Sequence, residues 1–360
     1  FSMQGPLISG TSDKGELSII EIYYKGNKVI ESKSKNFKII DGIAQSEGAS
    51  LEIFTDSGSI FHPKVIFNFQ AAKKILKITK GTDGLMRVPF NDSYHNLEID
   101  VQQILWNLDE PLIDFDMVNN DKAATIESTD FYRSTSFEKI QGRLSRHPLT
   151  TLRKFAIQLR QKKFSTDDYV TYLNTKKKYI YEMLLDLHDG GYIYYYPEED
   201  SIYVKKKTFN YVSAYFKVRD YDNIKMTSVI GAKPNITLNI QNYDLNVEGV
   251  RKFIFSDSQF VVVAPREQKL RIGQDRTMHF NGQVRAGRFD LFGEKFEFNY
   301  GTYNIQSKQI DSMRIFFPDE TGEYRRINSV LSDISGTLYI DDPKNKSGLK
   351  DFPEYPRFVS

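Results

Sequence analysis

Short runs of β-branched and aromatic residues, separated by Gly, Ser, Asn or Asp, recur about every ten residues through the first hundred positions. They are Leu17–Tyr24 (LSIIEIYY), Phe37–Ile40, Ser50–Phe54, Lys64–Phe69 and Ile75–Thr79. That spacing restricts the region to an all-β sandwich, barrel or solenoid. The piece Gly58–Gly81 reads as one turn of strand, corner, strand, corner, yet no strict repeat accompanies it, so sandwich and solenoid both stay open. Leu97–Leu108, with the single tryptophan Trp106, reads as one or two more strands. From Tyr221 the pattern returns in Lys225–Ile230, Ile236–Ile240, Leu245–Glu248, Phe253–Phe255, Phe260–Val263, Leu270–Ile272 and His279–Val284. In Phe289–Gln306, Phe296, Phe298 and Tyr300 alternate with Glu297 and Asn299, which predicts one aromatic and one polar face. The 22 Tyr and 26 Phe agree with this β bias.

One block breaks the period. In Leu149–Lys162, the residues Leu149, Leu152, Ala156 and Leu159 share a helical face. Ser165 or Thr166 can cap a short second helix, with Asp167 and Asp168 in its first turn. Thr175 can cap a third, with Ile180, Met183, Leu184 and Leu187 inward and Gly190-Gly191 as its stop. Tyr192–Tyr196 and Ser201–Lys207 then form a hairpin around Pro197-Glu198-Glu199-Asp200, and Phe209–Val218 favours a last helix. Three helices followed by a hairpin is the order of a winged helix. The expected fold is therefore mixed and β-dominated, with two β-rich regions, sandwich- or solenoid-like, flanking a winged-helix-like module. The boundaries read 1–143 for the N-terminal β-rich region, 144–220 for the module, 221–340 for the C-terminal β-rich region and 341–360 for an irregular tail or linker.

Composition excludes several function classes. There is no cysteine, hence no disulfide, thiolate nucleophile or Cys-based zinc site. That also fits a protein of an oxidising compartment. Net charge is +2, so global charge points to neither nucleic acid nor membrane. No apolar run reaches the roughly 20 residues of a membrane helix. The chain begins at Phe1 without an initiator Met or an apolar leader, and is read as a fragment of something longer.

Candidate sites are few. Gly10–Glu16 has P-loop glycine spacing, but Glu16 and Leu17 stand where Lys and Ser or Thr are needed. Asp114, Asp116, Asn119, Asn120 and Asp121 are oxygen-rich without the Gly and Glu of an EF-hand, and read as a solvated turn. The five histidines, His62, His95, His147, His188 and His279, form no local ligand pair, so no metal and no cofactor is expected. No catalytic residue is assigned. Paired acids such as Asp341-Asp342 lie in a Pro- and Lys-rich segment with no sign of a surrounding pocket, and an enzyme with a site assembled from distant acidic residues is the second alternative.

The remaining candidate surface lies on the module: Lys176, Lys177 and Lys178 opening the third helix, Tyr192, Tyr194 and Tyr196 in the hairpin, and Lys205, Lys206 and Lys207 after it. Eleven basic residues face eight acidic ones between Pro148 and Lys207. Against DNA stands the tip, Glu198-Glu199-Asp200, three carboxylates where a wing follows phosphates. The third helix also lacks the Arg and Asn that dominate base readout. A spacer or protein-docking module is preferred, with nucleic-acid binding as the first alternative.

GSIFHPKV (58–65), SRHPLTTL (145–152), FNGQVRAGRFDLFGEKFEFNYGTYNI (280–305), IDSMRI (310–315) and SGTLYIDDPKNKSG (335–348) resemble segments of long, uncharacterised β-rich proteins of Bacteroidota, secreted or in the cell envelope. The resemblance implies a middle fragment of such a protein and brings no catalytic residues. By pattern alone, short strands with aromatic inner faces are also similar to open β-groove proteins that carry lipids across the periplasm. The expected function is a non-catalytic structural or interaction segment of the envelope, presenting aromatic β-faces to a protein partner or to lipid.

Overall fold

The computed structural model describes residues 2–4, 7–11, 17–82, 84–118, 123–142, 145–231, 234–318, 324–326 and 330–360. It divides into two compact units. Unit one comprises Phe1–Ser93, Glu98–Glu110 and Tyr132–Arg219; unit two comprises Tyr94–Leu97, Pro111–Phe131 and Asp220–Ser360.

Unit one begins with β1 (Ser2–Gln4), β2 (Leu7–Thr11), β3 (Ser18–Tyr24), β4 (Asn27–Ser34), β5 (Asn36–Ile40), β6 (Ile43–Phe54), β7 (Ser59–Gln70), β8 (Ile75–Thr79) and β9 (Phe90–Asp92). Next come β10 (Leu97–Asp100), divided between the units, and β11 (Gln103–Asn107). The following pairings are all antiparallel. β1 lies beside β2, β2 beside β5, and β5 on the first half of β6, whose second half takes β4 and, beyond it, β3. On its other side β6 meets β7, then β8 and β11 follow. Period-two alternation buries Ile30, Leu51, Ile53, Ile60, Val65, Phe67, Leu76 and Ile78 on one face.

Within Gly58–Gly81, β7 runs unbroken through His62-Pro63, and the break between the two predicted strands is a 3-10 turn at Ala71–Lys73 that leads into a hairpin with β8. Pro63 lies where the β6–β7 register slips, between the pairs Ala49↔Val65 and Leu51↔His62, so the ladder does not require its missing N–H. β4 has no counterpart among the predicted strands. Its buried side is Ile30, Ser32 and Ser34, and the two serines hide the apolar alternation.

The chain then enters unit two with β12 (Leu112–Asp116) and β13 (Ala124–Ser128) and returns to unit one for the helical block. This holds α1 (Ser134–Gln141), α2 (Pro148–Leu159), β14 (Lys163–Ser165), α3 (Thr166–Leu173), α4 (Lys177–Asp189), β15 (Ile193–Tyr196), β16 (Ser201–Val204) and α5 (Lys206–Tyr215). β16 lies between β14 and β15 in a three-stranded antiparallel sheet. α2 starts at Pro148, with His147 as its cap: Nδ1 accepts from the Leu149 N–H (3.2 Å), Nε2 donates to the Phe137 carbonyl (2.8 Å), and the ring stacks on Phe137. Ser165 caps α3, accepting from the Asp167 and Asp168 N–H groups. Thr175 does not cap α4: the cap position is Lys176, with no side-chain hydrogen bond. β14, hidden between two helices in the sequence, is the third strand.

The rest of unit two is β17 (Lys225–Ser228), β18 (Ile236–Asn239), β19 (Leu245–Val247), β20 (Phe253–Ser256), β21 (Val261–Ile272), β22 (Met278–Ala286), β23 (Phe289–Asn299), β24 (Asn304–Pro318), β25 (Tyr324–Arg326), β26 (Leu331–Tyr339) and β27 (Arg357–Val359). One antiparallel path runs β12–β18–β19–β21–β22–β23–β24–β26–β27. A line of register shifts crosses it at Pro265/Leu270, Phe280/Gly282, Phe292/Gly293 and Ser307/Ile310. Aligned irregularities of this kind bend a sheet and increase its twist. Gly282 sits on the line at φ +139°, where a Cβ would lie 2.3 Å from the Ala264 carbonyl oxygen, so only glycine fits. The predicted aromatic face exists but points inward: Phe296 and Phe298 are buried, with Phe298 stacked on Phe255 and Phe296 on Phe280. It belongs to the core of unit two, a correction to its reading as a face presented to a partner. In 341–360, turns predominate, yet Asp341 and Asn345 are buried and hydrogen-bonded to each other (2.9 Å), and β27 pairs with β26.

Candidate functional site

The acidic tip of the β15–β16 hairpin is engaged within unit one. Asp200, at the turn with φ +48°, accepts from Lys177 Nζ (2.6 Å) and from Ser165 Oγ (2.8 Å). Glu199 meets Lys163 (3.4 Å), and Glu198 meets Lys35 (3.0 Å), which lies between β4 and β5. Lys177 also reaches Asp167 (2.9 Å), so the cation at the positive end of α4 has its own anions. Two carboxylates raise the Lys177 ammonium to about 12. Exposed pairs like these stabilise little, because solvent screens them; their meaning is where the hairpin points.

α4 is tied down at its far end too. His188 Nε2 donates to the Leu85 carbonyl (2.9 Å) while Nδ1 accepts from the Tyr195 N–H (3.0 Å), joining α4, β15 and the 3-10 turn Gly84–Met86. Asp189 meets Arg87 (3.5 Å). His62 is bonded in the same way, to the Val88 carbonyl and the Lys64 N–H, and burial pushes its pKa well below the ordinary histidine value. His62, His147 and His188 thus act as neutral bridges. Among the described residues, no group of three or more His, Asp or Glu could hold a metal. Asp114 is the middle and Asp116 the last residue of β12; Asn119, Asn120 and Asp121 lie outside the described residues, as do 12–16 of the P-loop-like stretch.

Lys205 and Lys207 are not surface cations. They are buried, and they clamp Glu98 of β10 at 2.8 and 2.6 Å. Their ammoniums also lie over the rings of Tyr194 and Tyr192, at 4.7 and 5.1 Å. Burial alone would raise the Glu98 carboxyl, but the two ammoniums hold it below its ordinary value; burial takes Lys205 below its own. Gly191, at φ +72°, passes so close that a Cβ would lie 3.0 Å from Glu98 Oε2. The surface reading of Lys205 and Lys207 is therefore corrected: Lys205, extended at the cap of α5, and Lys207, in its first turn, both turn inward, while Lys206 stays exposed. Lys176, Lys177 and Lys178 are exposed, while Tyr192 and Tyr194 are buried and Tyr196 is half-buried. Tyr194 pairs with Tyr203 across the hairpin and meets Phe61 of β7 edge-on at 5.6 Å. Beside this contact lies an open cleft of about 1090 Å³, whose lining includes Tyr194, Tyr196, Tyr203, Lys33, Lys64 and Asn68.

Unit two holds its own polar centre. Asp222, fully buried, accepts from Ser128 Oγ (2.6 Å), Tyr300 OH (2.9 Å) and the Ile224 N–H (3.0 Å). Arg276 stacks 3.5 Å from the centre of the Tyr300 ring and donates to Ser128 Oγ, Asp130 and Asp275. Burial pushes the Asp222 carboxyl up to about 6, against the pull of Arg276. That is the proton affinity of a general acid or base, but the chain's own donors surround it. Neither Glu98 nor this cluster was assigned a role from sequence. The only signal for Glu98 is a lone acid in the apolar run Leu97-Glu98-Ile99. Nothing linear joins Arg276 to Asp222.

No known protein family, no curated protein and no solved structure matches the chain. No helix among the described residues is long and apolar enough to cross a membrane.

Proposed function

We propose that the chain is a non-catalytic structural and interaction segment of a large cell-envelope protein, and that residues 144–220 form a winged-helix module engaged inside its own unit. The order α2, β14, α3, α4, β15, β16 and the sheet order β14–β16–β15 support the winged-helix reading. The observation that carries the functional reading is the tip: Glu198, Glu199 and Asp200 each hold a lysine of unit one. A wing that tracks phosphates needs the opposite charge and a free tip. The envelope assignment rests on the sequence resemblance, and a protein partner suits the segment better than lipid because Phe296 and Phe298 are buried in a core.

The test is fluorescence anisotropy of a labelled random duplex with the whole chain at about 50 and 200 mM salt, the range over which phosphate contacts weaken by orders of magnitude. No saturable binding at either salt is expected. Tight binding at the lower salt that collapses at the higher would overturn the reading in favour of nucleic acid, with the exposed Lys176, Lys178 and Lys206 as its contacts.

A further inference from the structure

β3 pairs with β4 and, among the described residues, with no other strand. In antiparallel pairing, alternate backbone N–H and C=O groups face each side, so its outer edge presents a row of donors and acceptors. Natural edges are commonly blunted with Lys, Pro or shortness. This one is seven residues, Ser-Ile-Ile-Glu-Ile-Tyr-Tyr, with neither Lys nor Pro. Ile19 and Tyr23 are 54% and 59% exposed, and Leu17 just before them 40%. A long, apolar, open edge is the platform on which an extended segment adds as a further strand.

The charge pattern selects the occupant. Glu21 lies opposite Glu31, and Glu31 opposite Glu52, so three carboxylates form one row across β3, β4 and β6. Lys28 bridges Glu21 and Glu31 at 3.1 and 2.7 Å, and Lys33 reaches Glu31 at 2.6 Å, leaving the row one positive charge short. Glu21 is also the middle residue of β3. A two-fold pairing of β3 with its own copy, centred on the strand, would set Glu21 against Glu21, and like charges directly opposite are destabilising.

We propose that the β3 edge takes an extended strand from a different polypeptide, with Lys or Arg facing Glu21 and apolar residues two positions to either side facing Ile19 and Tyr23. This rests on the interaction reading above and names its surface and the chemistry of its partner.

The probe is a fluorescein-labelled peptide, Thr-Val-Thr-Lys-Thr-Val-Thr, and a twin with Glu in place of Lys, titrated with the whole chain. The Lys peptide should bind saturably and about fivefold more tightly than its twin, a ratio set by the usual size of cross-strand charge pairing. In Glu21→Lys the preference should reverse, with Trp106 fluorescence unchanged as the check on folding. Absence of saturable binding, equal affinities, or a preference that survives Glu21→Lys would overturn the proposal. So would a dimer of the chain that Ile19→Lys dissolves, because the occupant would then be a second copy. If neither peptide nor duplex binds, the edge assignment falls while the reading against nucleic acid stands.

Discussion

Glu98 in unit one and Asp222 in unit two are both buried carboxylates, and their surroundings move them in opposite directions. Glu98 meets two full positive charges within 2.8 Å, and its carboxyl stays below the ordinary range. Asp222 is held mainly by neutral donors, with the guanidinium of Arg276 at 3.6 Å and shared among Asp130, Asp222 and Asp275, and its carboxyl rises to about 6. Burial is common to both; the amount of positive charge that each carboxylate commands makes the difference.

Breaking the first clamp should cost most. Glu98→Ala leaves two buried ammoniums without an anion, and the expected loss is about 3–5 kcal/mol of unit-one stability, followed in urea through Trp106, the single tryptophan. A loss under about 1 kcal/mol would mean that Lys205 and Lys207 escape to water. Asp222→Asn keeps an acceptor for Ser128 and Tyr300, so unit two should lose only about 1–3 kcal/mol, measured by hydrogen exchange at β17 and β23.

The pH dependences sharpen the contrast. The folded Asp222 keeps its proton between its ordinary value of 3.8 and about 6, where the unfolded chain has released it. Unit two should therefore lose stability as the pH rises through that window, and Asp222→Asn should remove the slope. Glu98 has the opposite sign: its contribution is fully present above its ordinary value of 4.5 and is lost as the pH falls through its lower folded value. Glu98→Gln should flatten the acid limb followed by Trp106. The smallest effect is expected at the exposed clasp, where solvent screens the pairs and Lys177→Ala should leave the urea midpoint close to that of the unaltered chain.

Local signals carried the helices. Pro148, Ser165 and the Gly190-Gly191 stop mark helix ends that the structure places within a few residues of the reading. β8 matches its predicted span, Ile75–Thr79. β4 was hidden because Ser32 and Ser34 take core positions, and β14 because three residues between helices leave no period to detect. The site was less legible. A lysine run reads as a solvated face until a partner is known, and Glu98 lies 107 and 109 positions before the two lysines that it binds. The acidic tip was visible as an argument against DNA; the lysines that receive it lie in α4, in β14 and, for Lys35, in the turn between β4 and β5, and left no trace in the linear pattern.

The engagement of the β15–β16 tip within its own unit is open to direct measurement because the chain contains no cysteine. Lys35→Cys with Glu198→Cys gives one defined thiol pair in an otherwise thiol-free background. A short bis-maleimide should cross-link them rapidly within the folded monomer, and the reaction should slow to the unfolded rate in urea. If the folded protein shows no intramolecular cross-link while both thiols react freely with a single maleimide, the β15–β16 tip stands away from Lys35 and is not engaged within unit one.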